Sequence, residues 1–387
     1  MDAVGELGGL RLDEQRAVDE VYTGYTYFRD GDVVVAKITP CFENGKGAVA
    51  ERLTNGVGFG TTELHVIRPS AQLDRRFLLY ITLSDDFRSY GEAEMLGAGG
   101  QKRVPERFLK DWRPFLPTLE MQRRIAAFLD EKTARIDALI ARKQALLERL
   151  SEKRQAVITQ AVTKGLNPAG PMKDSGIDWL GQIPAHWEVK RLRFLVRLIS
   201  GGTPTTGVPA YWGGETSWIS PKDVKSDEIS STIDTVTRLA VEEFGLKRFS
   251  DQNVVIVVRG MILARYVPVA IADGDYTINQ DMKVLRTRGA MAPRFLQMFL
   301  AATRDYLMTL IAESGHGTKA LRTDVLMDAP ILLPALEEQQ EIVEKVQADK
   351  QQIDAAIEAI SRALSRLKEY RSALITSAVT GQVEGLR

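Results

Sequence analysis

The chain contains one long stretch twice. Residues 116–166 and 333–383 align without a gap at a constant offset of 217 residues, and about twenty of about fifty positions are identical. The shared residues include Leu-Pro at the start of each copy, Ile-Asp-Ala near the middle and Ile-Thr-x-Ala-Val-Thr near the end. Self-similarity over this length indicates a duplicated unit. It excludes a solenoid, whose repeats recur every few tens of residues.

Each copy has the pattern of a long helix that needs a partner. Thr118 is suited to cap the first helix, and no proline or glycine interrupts it before Gly165, which is suited to end it. Apolar residues keep near-heptad spacing, and such a narrow stripe is buried by one facing helix. About 45 residues give a rod on the order of 65 Å. The predicted interface residues are Ile136, Ile140, Leu147 and Leu150 in the first copy, and Ile353, Ile357, Leu364 and Leu367 in the second.

A globular region precedes each helix. Val33–Ile38 and Leu64–Ile67 have the composition of strands, and Arg75–Ser84 has the apolar spacing of a short helix. In the second region, Val254–Val258 repeats the first of these strands. The globular regions have diverged far more than the helices, as expected if each surface recognises something different. The predicted divisions are a globular region at 1–115, a helix at 116–166, a linker at 167–184, a globular region at 185–332 and a helix at 333–383.

These patterns predict an α+β fold. Two α/β globular domains are separated by two long helices that pair as an antiparallel coiled coil, and the whole is an internal two-fold repeat. From the 217-residue offset we expect the first domain to lack about 35 residues that the second has, among them the counterparts of Trp187 to Pro204 and of Trp218-Ile219. We expect this difference to leave a sheet edge and apolar surface open in the first domain.

Composition excludes several classes of protein. The chain has 51 Lys plus Arg residues and 51 Asp plus Glu residues, so it lacks the strong basic excess that indicates nucleic-acid binding. Local basic faces remain compatible with a net charge of zero. The one cysteine, Cys41, excludes an intramolecular disulfide and a cysteine-based zinc cluster. No signal peptide or membrane span is evident. We therefore expect a cytoplasmic protein that does not enter a membrane.

The sequence offers no catalytic apparatus. His65, His186 and His316 lie far apart without metal-ligand spacing. The glycine-rich loop at 97–103 is not followed by the Gly-Lys-Ser/Thr of a phosphate-binding loop. Asn167-Pro168 lacks the Pro-aromatic pair that would stack a flipped base in an amino-methyltransferase. We predict no catalytic residue, no metal site and no cofactor in this chain.

Basic and polar residues recur at matching places in the two globular regions. Lys37 and Arg259 lie at or just after the matching strands. Arg and Lys can bond guanine edges and phosphates, and Gln can bond adenine. For any single residue, solvated surface charge is the alternative, so the paired placement carries the prediction of DNA contact. The remaining candidates are Gln101, Lys102 and Arg103 in the first region, which correspond roughly to Thr318, Lys319 and Arg322 in the second.

Several motifs together resemble one family, the specificity subunits of type I restriction–modification systems. The resemblance spans nearly the whole chain, and the duplicated combination is highly specific. The motifs are Leu116–Gln122 and Leu333–Gln339 at the helix starts, Ile158–Thr163 and Ile375–Thr380 at the helix ends, and Lys173–Trp187 and Ser200–Pro204 at the opening of the second globular region.

The resemblance implies a non-catalytic reader of double-stranded DNA. Each globular part would be a target-recognition domain for one half of a split site, and the paired helices would fix the spacing between the halves. Two methyltransferase subunits would dock along the helices and bring S-adenosylmethionine chemistry, and restriction/translocase subunits would bring ATP and Mg²⁺. Because the first domain lacks its opening segment, we expect the second half-site to be read more reliably than the first.

Two other classes remain as alternatives. A self-contained DNA-modifying or DNA-cleaving enzyme would need a cofactor or metal motif, and would act on DNA without partners. A coiled-coil adaptor without a DNA role would show no sequence preference, and it leaves the divergence of the two globular regions unexplained.

Overall fold

The computed structural model describes residues 1–6, 8–313 and 317–386. The chain forms two compact units, which we call unit 1 (1–147 with 358–387) and unit 2 (148–357). Each unit therefore contains one globular region, the first part of one long helix and the last part of the other. His316 lies outside the described residues.

The globular region of unit 1 and the first long helix contain the following elements: α1 (Val18–Val21), β1 (Thr26–Arg29), β2 (Val33–Ala36), β3 (Gly47–Val49), β4 (Val57–Gly60), β5 (Leu64–Ile67), α2 (Arg75–Leu83), α3 (Asp85–Ala93), α4 (Glu106–Asp111) and α5 (Leu119–Lys164).

After α5, the remainder of the chain contains β6 (Met172–Asp174), β7 (Gln182–Pro184), β8 (Glu188–Arg191), α6 (Leu192–Leu195), β9 (Val196–Ser200), β10 (Trp212–Ile219), β11 (Asp234–Val236), α7 (Arg238–Glu243), β12 (Asn253–Val257), β13 (Val269–Ala272), β14 (Tyr276–Ile278), β15 (Met282–Thr287), α8 (Pro293–Ala302), α9 (Arg304–Thr309), β16 (Ile311–Glu313), β17 (Lys319–Leu321), α10 (Thr323–Met327), β18 (Pro330–Leu333) and α11 (Leu336–Val379).

Each unit is built on an antiparallel sheet with a buried central strand. In unit 1 the strand order is β3-β2-β5, and in unit 2 it is β13-β12-β15-β9. The register is equivalent, because Val33 faces Val49 and Ile67 as Val254 faces Ile271 and Leu285. Every residue of β2 and β12 is buried, as their runs of Val and Ile predict. The predicted α+β architecture is confirmed.

The long helices begin and end at their sequence signals. The Thr118 hydroxyl accepts a hydrogen bond from the Met121 amide at 3.4 Å, which caps the first turn of α5. Gly165 has a φ of +75°, and its amide bonds the Ala161 carbonyl at 3.1 Å. A residue without a side chain adopts this left-handed conformation at little cost, so the helix stops there. The predicted start of the second long helix at 333 is wrong: residues 330–333 form β18, which pairs with β8, and α11 begins at Leu336.

Apolar contacts and an ion pair hold the helices against each other within each unit. In unit 1, Ile136, Ile140 and Leu364 form a buried cluster, joined by the half-buried Leu147, Ile360, Leu367 and Leu374. Two nitrogens of the Arg371 guanidinium donate to the Asp137 carboxylate at 2.8 and 3.2 Å. In unit 2, Arg154 Nε lies 3.1 Å from Asp354 Oδ1. Because Asp137 corresponds to Asp354, and Arg154 to Arg371, at the 217-residue offset, the same ion pair occurs twice.

One buried glutamine in each unit ties the start of a long helix to the globular region. The Gln122 amide nitrogen donates to the carbonyls of Gln72 at 3.1 Å and Pro117 at 2.9 Å, and its oxygen accepts from the Asp74 amide at 2.8 Å. Asp74 is the cap of α2. The Gln122 side chain thus satisfies backbone groups on both segments, and we call this arrangement the glutamine clamp.

Gln339 forms the same clamp in unit 2. It donates to the carbonyls of Ala290 at 2.7 Å and Pro334 at 2.9 Å, and accepts from the Ala292 amide at 2.8 Å. Ala292 precedes α8 as Asp74 precedes α2. The two glutamines are 2% and 0% exposed, so the bonded groups have no water to replace a lost partner.

We expect Gln339→Ala to lower the free energy of unfolding of unit 2 by about 2 kcal/mol or more, because it leaves buried backbone groups without partners. Urea unfolding followed by circular dichroism measures the change. Gln340→Ala, at the next and exposed position, is the matched control, with an expected change within about 0.5 kcal/mol. Equal stabilities of the two variants would contradict the clamp.

Candidate nucleic-acid interface

In each unit the buried central strand ends beside a loop that carries polar and basic residues. In unit 2, the Leu321 amide donates to the Val258 carbonyl at 2.9 Å, and the Gly260 amide donates to the Lys319 carbonyl at 3.0 Å. Arg259 lies between these bonds and pairs with Ala320 as an isolated bridge. Strand end and loop therefore present Arg259 and Lys319 in one place, which we call the unit 2 corner.

Unit 1 has the equivalent corner. The Val104 amide donates to the Lys37 carbonyl at 2.8 Å, and the Thr39 amide donates to the Lys102 carbonyl at 3.0 Å. Ile38 pairs with Arg103 as an isolated bridge. The structure thus brings the predicted residues Lys37, Lys102 and Arg103 together. Gln101 is exposed on the same loop.

The hydrogen bonds show, in more detail than the sequence does, which residues of the two corners occupy equivalent positions. Val104 and Leu321 occupy the same place, so Lys37 is equivalent to Val258 and Arg103 to Ala320. Arg259 takes the place of Ile38. The same comparison makes Arg322 equivalent to Pro105, because Arg322 directly precedes the short helix α10 and Pro105 directly precedes the short helix α4. The corners share a backbone and differ in where their charges lie.

In unit 1, an acidic residue neutralises part of the corner. Arg103 donates two hydrogen bonds to the Glu63 carboxylate, at 2.9 and 2.8 Å. These bonds, together with the charges of Arg103 and Lys37, hold the pKa of Glu63 below its ordinary value. The exposed Lys102 and the half-buried Lys37 supply the positive charge that stands beside this ion pair.

In unit 2, the corner contains a lysine that is not among the residues predicted from the sequence. Lys283 on β15 donates to the Ser200 hydroxyl of β9 at 2.9 Å. Burial lowers the pKa of Lys283, and the nearby charge of Arg259 lowers it further. The alternation of β15 could have indicated Lys283, since its neighbours Met282 and Val284 are buried. The equivalent residue in unit 1 is His65, which bonds the Val104 carbonyl at 2.8 Å and whose pKa is lowered by burial.

The other candidates and nearby polar groups in unit 2 lie in local contacts. Lys319 pairs with Glu313 at 3.0 Å, and Arg322 pairs with Asp324 beside it. Thr318 is half-buried. Thr203 donates to the side chain of Gln280, which lies close to Lys283 in sequence. Arg259 is exposed, and it forms no ion pair among the described residues.

We expect Arg259→Ala to raise the pKa of Lys283, because a positive neighbour that disfavours the protonated amine is removed. NMR titration of the lysine side-chain carbon measures the shift. Arg265→Ala, which removes an exposed arginine that does not contribute to the Lys283 pKa, is the control. An unchanged Lys283 pKa in Arg259→Ala would show that the two side chains do not share a corner in solution.

Within the described part of the chain, no three His, Cys, Asp or Glu side chains group so as to hold a metal ion. None of the described helices is both long enough and apolar enough to cross a membrane.

Residues 184–363 match the family model described as the type I restriction modification DNA specificity domain. Parts of the chain are also similar to type I restriction enzyme specificity subunits. The chain is 49% identical over 122 residues to the EcoEI specificity subunit of Escherichia coli, a match that covers 31% of this chain and 20% of that protein. It is 32% identical over 167 residues to the MjaIX specificity subunit of Methanocaldococcus jannaschii, covering 42% and 38% respectively.

The matches to curated relatives are partial, and the structural matches extend over nearly the whole chain. The EcoAI specificity subunit of E. coli is 49% identical over 28% of this chain and 19% of its own length, so the chain spans less than half of each of these relatives. One similar protein comes from a solved structure on complex assembly of the type I R-M system. The similarity covers 99% of the present chain and 90% of that protein, with a TM-score of 0.78 and 20% sequence identity. The HsdS subunit from Thermoanaerobacter tengcongensis covers 99% and 89%, with a TM-score of 0.56 at 19% identity. These likenesses show the fold.

Proposed function

We propose that this chain is the DNA-reading subunit of a type I restriction–modification complex, and that unit 1 and unit 2 each recognise one half of a split target. The observation that carries the proposal is the repeated corner. Two equivalent backbones present different polar and basic residues, as two readers of different sequences require. The matched family, a DNA specificity domain, supports the same reading.

The chemistry of the corners suits a duplex. Arg259 and Lys319 in unit 2, and Lys37 and Lys102 in unit 1, offer cations for phosphates or guanine edges. Gln101 offers an amide for adenine. The carboxylates paired with Arg103, Lys319 and Arg322 hold these side chains in defined positions before DNA arrives. A neutral chain leaves a share of the phosphate affinity to partner subunits.

The long helices would set the distance between the two half-sites. A purely apolar heptad seam permits sliding by one heptad, about 10 Å along the axis. The ion pairs Asp137–Arg371 and Arg154–Asp354 oppose such sliding, because a shifted register separates the charges. We infer that these pairs fix the axial register and hence the spacer length.

Exposed apolar side chains on the helices offer a place for partners to dock. Leu139 and Leu146, one heptad apart on α5, are both exposed, as is Tyr370 on α11. We propose that methyltransferase subunits, two per complex, bind along these faces. S-adenosylmethionine, ATP and Mg²⁺ would belong to the methyltransferase and restriction/translocase subunits, and the complex would act in the cytoplasm.

Methylation mapping tests the function. The chain is co-expressed with its methyltransferase partner in a methylase-free host, and modified adenines are located by sequencing. A split motif with a fixed spacer is expected. Modification without any sequence motif would favour a coiled-coil adaptor, and modification of DNA by the purified chain alone would favour a self-contained enzyme. Either result would overturn the proposal.

We expect Arg259→Ala to weaken binding of the unit 2 half-site by about 1–3 kcal/mol, the usual loss when a base-contacting arginine is removed. The dissociation constant is measured for a duplex that contains the mapped site and for a second duplex that is altered only in the half-site assigned to unit 1. Arg304→Ala, an exposed arginine on α9 already paired with Asp305, is the control. Equal losses from both variants would show a general charge effect instead of base recognition.

We expect Asp137→Arg to relax or abolish the spacer preference, because it places two guanidinium groups together at a largely buried position, and Asp137→Arg with Arg371→Asp to restore it. Methylation of sites with varied spacers is the measurement. The control reverses Glu358 and Arg362, an ion pair within one helix that does not depend on register. An unaltered spacer preference in Asp137→Arg would rule out the ion pair as the register lock.

A further inference from the structure

The unit 2 corner carries an exposed methionine that the contacts proposed above do not use. Met261 lies two residues after Arg259, and its side chain is 68% exposed. A single exposed apolar side chain is common on protein surfaces and by itself indicates nothing. Met261 differs from such a residue in the turn that carries it, in its charged neighbours, and in having an equivalent in unit 1.

The turn that carries Met261 is anchored to the corner. Gly260 has a φ of +132°, a conformation that residues with side chains rarely adopt, and its amide bonds the Lys319 carbonyl at 3.0 Å. Residues Met261–Ala264 then form one turn of 3₁₀ helix, in which the side chain of Leu263 is completely buried. Met261 is therefore presented to solvent at a position that the corner fixes.

Two arginines flank Met261 on this turn. Arg259 precedes it by two residues and Arg265 follows it by four; both are exposed, and neither forms an ion pair in the part of the chain that the structure describes. The space outside Gly260 is open, because a β-carbon placed there would have no residue beyond its chain neighbours within 4 Å. The turn thus combines an apolar tip, two cations that suit phosphates or base edges, and room for a ligand.

Unit 1 has an exposed apolar residue at the equivalent place. The Thr39 amide and the Gly260 amide make equivalent hydrogen bonds in the two corners. One residue further on, Pro40 takes the place of Met261 and is also exposed. Two residues after Pro40, Phe42 is completely buried, as its counterpart in unit 2 is. The corners therefore share an exposed apolar residue and a buried anchor, although their charged residues differ.

The two residue types suit insertion between stacked base pairs. Proteins that kink duplex DNA insert Phe, Leu, Ile, Met or Pro side chains into a base step and partly unstack it. Both exposed residues of the corners belong to this set. Such a side chain contacts the faces of the bases, which all four bases have, and not the edges that distinguish them. The same kind of residue therefore suits two units that bind different sequences.

We propose that Met261 is a wedge that enters a base step of the half-site bound by unit 2, while Arg259 and Arg265 bind phosphates or base edges on either side of it. This role rests on the proposed function of the corners in DNA recognition and adds a local distortion of the duplex to it. Opening a step costs stacking energy, but it eases extrusion of a neighbouring base, which a methyltransferase requires. Met261 is then a positioning residue and not a catalytic one.

Fluorescent base analogues test the proposal, because 2-aminopurine and pyrrolocytosine brighten when their stacking neighbours are lost. The full chain, in complex with its methyltransferase subunits, is bound to duplexes of the mapped site. Each duplex carries one analogue at one base pair of the unit 2 half-site, and the methylated adenine is left unlabelled. At one base step the fluorescence is expected to rise roughly fivefold or more on binding. Met261→Ala should remove most of that rise, and Met261→Leu, which keeps an apolar wedge, should preserve it.

Three controls make the result specific. Analogues in the unit 1 half-site should respond equally to the native chain and to Met261→Ala, because Pro40 is the apolar residue of that corner. Met172→Ala, which removes an exposed methionine on β6 outside the corner, should behave like the native chain. The unfolding midpoint of Met261→Ala should equal that of the native chain, because the side chain is exposed.

Several outcomes would overturn the wedge. Binding without a rise at any step of the unit 2 half-site, or with a rise that Met261→Ala keeps, would overturn it and leave the reading function standing. If replacing one thymine by uracil abolishes the effect of Met261→Ala, the methionine contacts a thymine methyl group instead. Weaker association of Met261→Ala with the methyltransferase subunits without DNA would show a protein contact instead. No binding of the mapped duplex by the native complex would overturn the proposed function, and the wedge with it.

Discussion

The structure depends first on the glutamine clamp. A helix of 46 residues and one of 44 bury little of their own surface, so their direction is set where they meet the globular regions. Gln122 and Gln339 do this by satisfying three backbone groups each, on the residues before the helix and on the cap of a neighbouring helix. Because the bonds are buried, no water competes for them, and the angle of each helix start is fixed.

Beyond the clamp, apolar packing and ion pairs hold the two long helices against each other within each unit. In unit 1, Ile125 and Leu129 of α5 share a core with Ile375 and Val379 of α11. In unit 2, Ile342 and Val346 of α11 share one with Val162 of α5. Apolar contacts provide most of the stability, but they recur along a heptad seam and do not select one register. The two equivalent Asp–Arg pairs each join α5 and α11 at one register.

The corners combine a constant backbone frame with side chains that differ between the two units. The same backbone hydrogen bonds join the strand end and the loop in both units. Equivalent side chains therefore lie at equivalent positions, although their identities differ. Where unit 1 has His65 and the Arg103–Glu63 pair, unit 2 has Lys283 and Arg259. The two units therefore carry different charges on one backbone frame.

The sequence by itself determined the α+β fold, the duplication and the cap and stop of α5, because periodicity, Thr118 and Gly165 act over a few neighbouring residues. Only the tertiary structure decided that Lys283 and His65 belong to the corners, and that Arg259 takes the place of Ile38. These facts depend on contacts between residues far apart in the chain, and no local pattern encodes which distant backbone group a given edge meets.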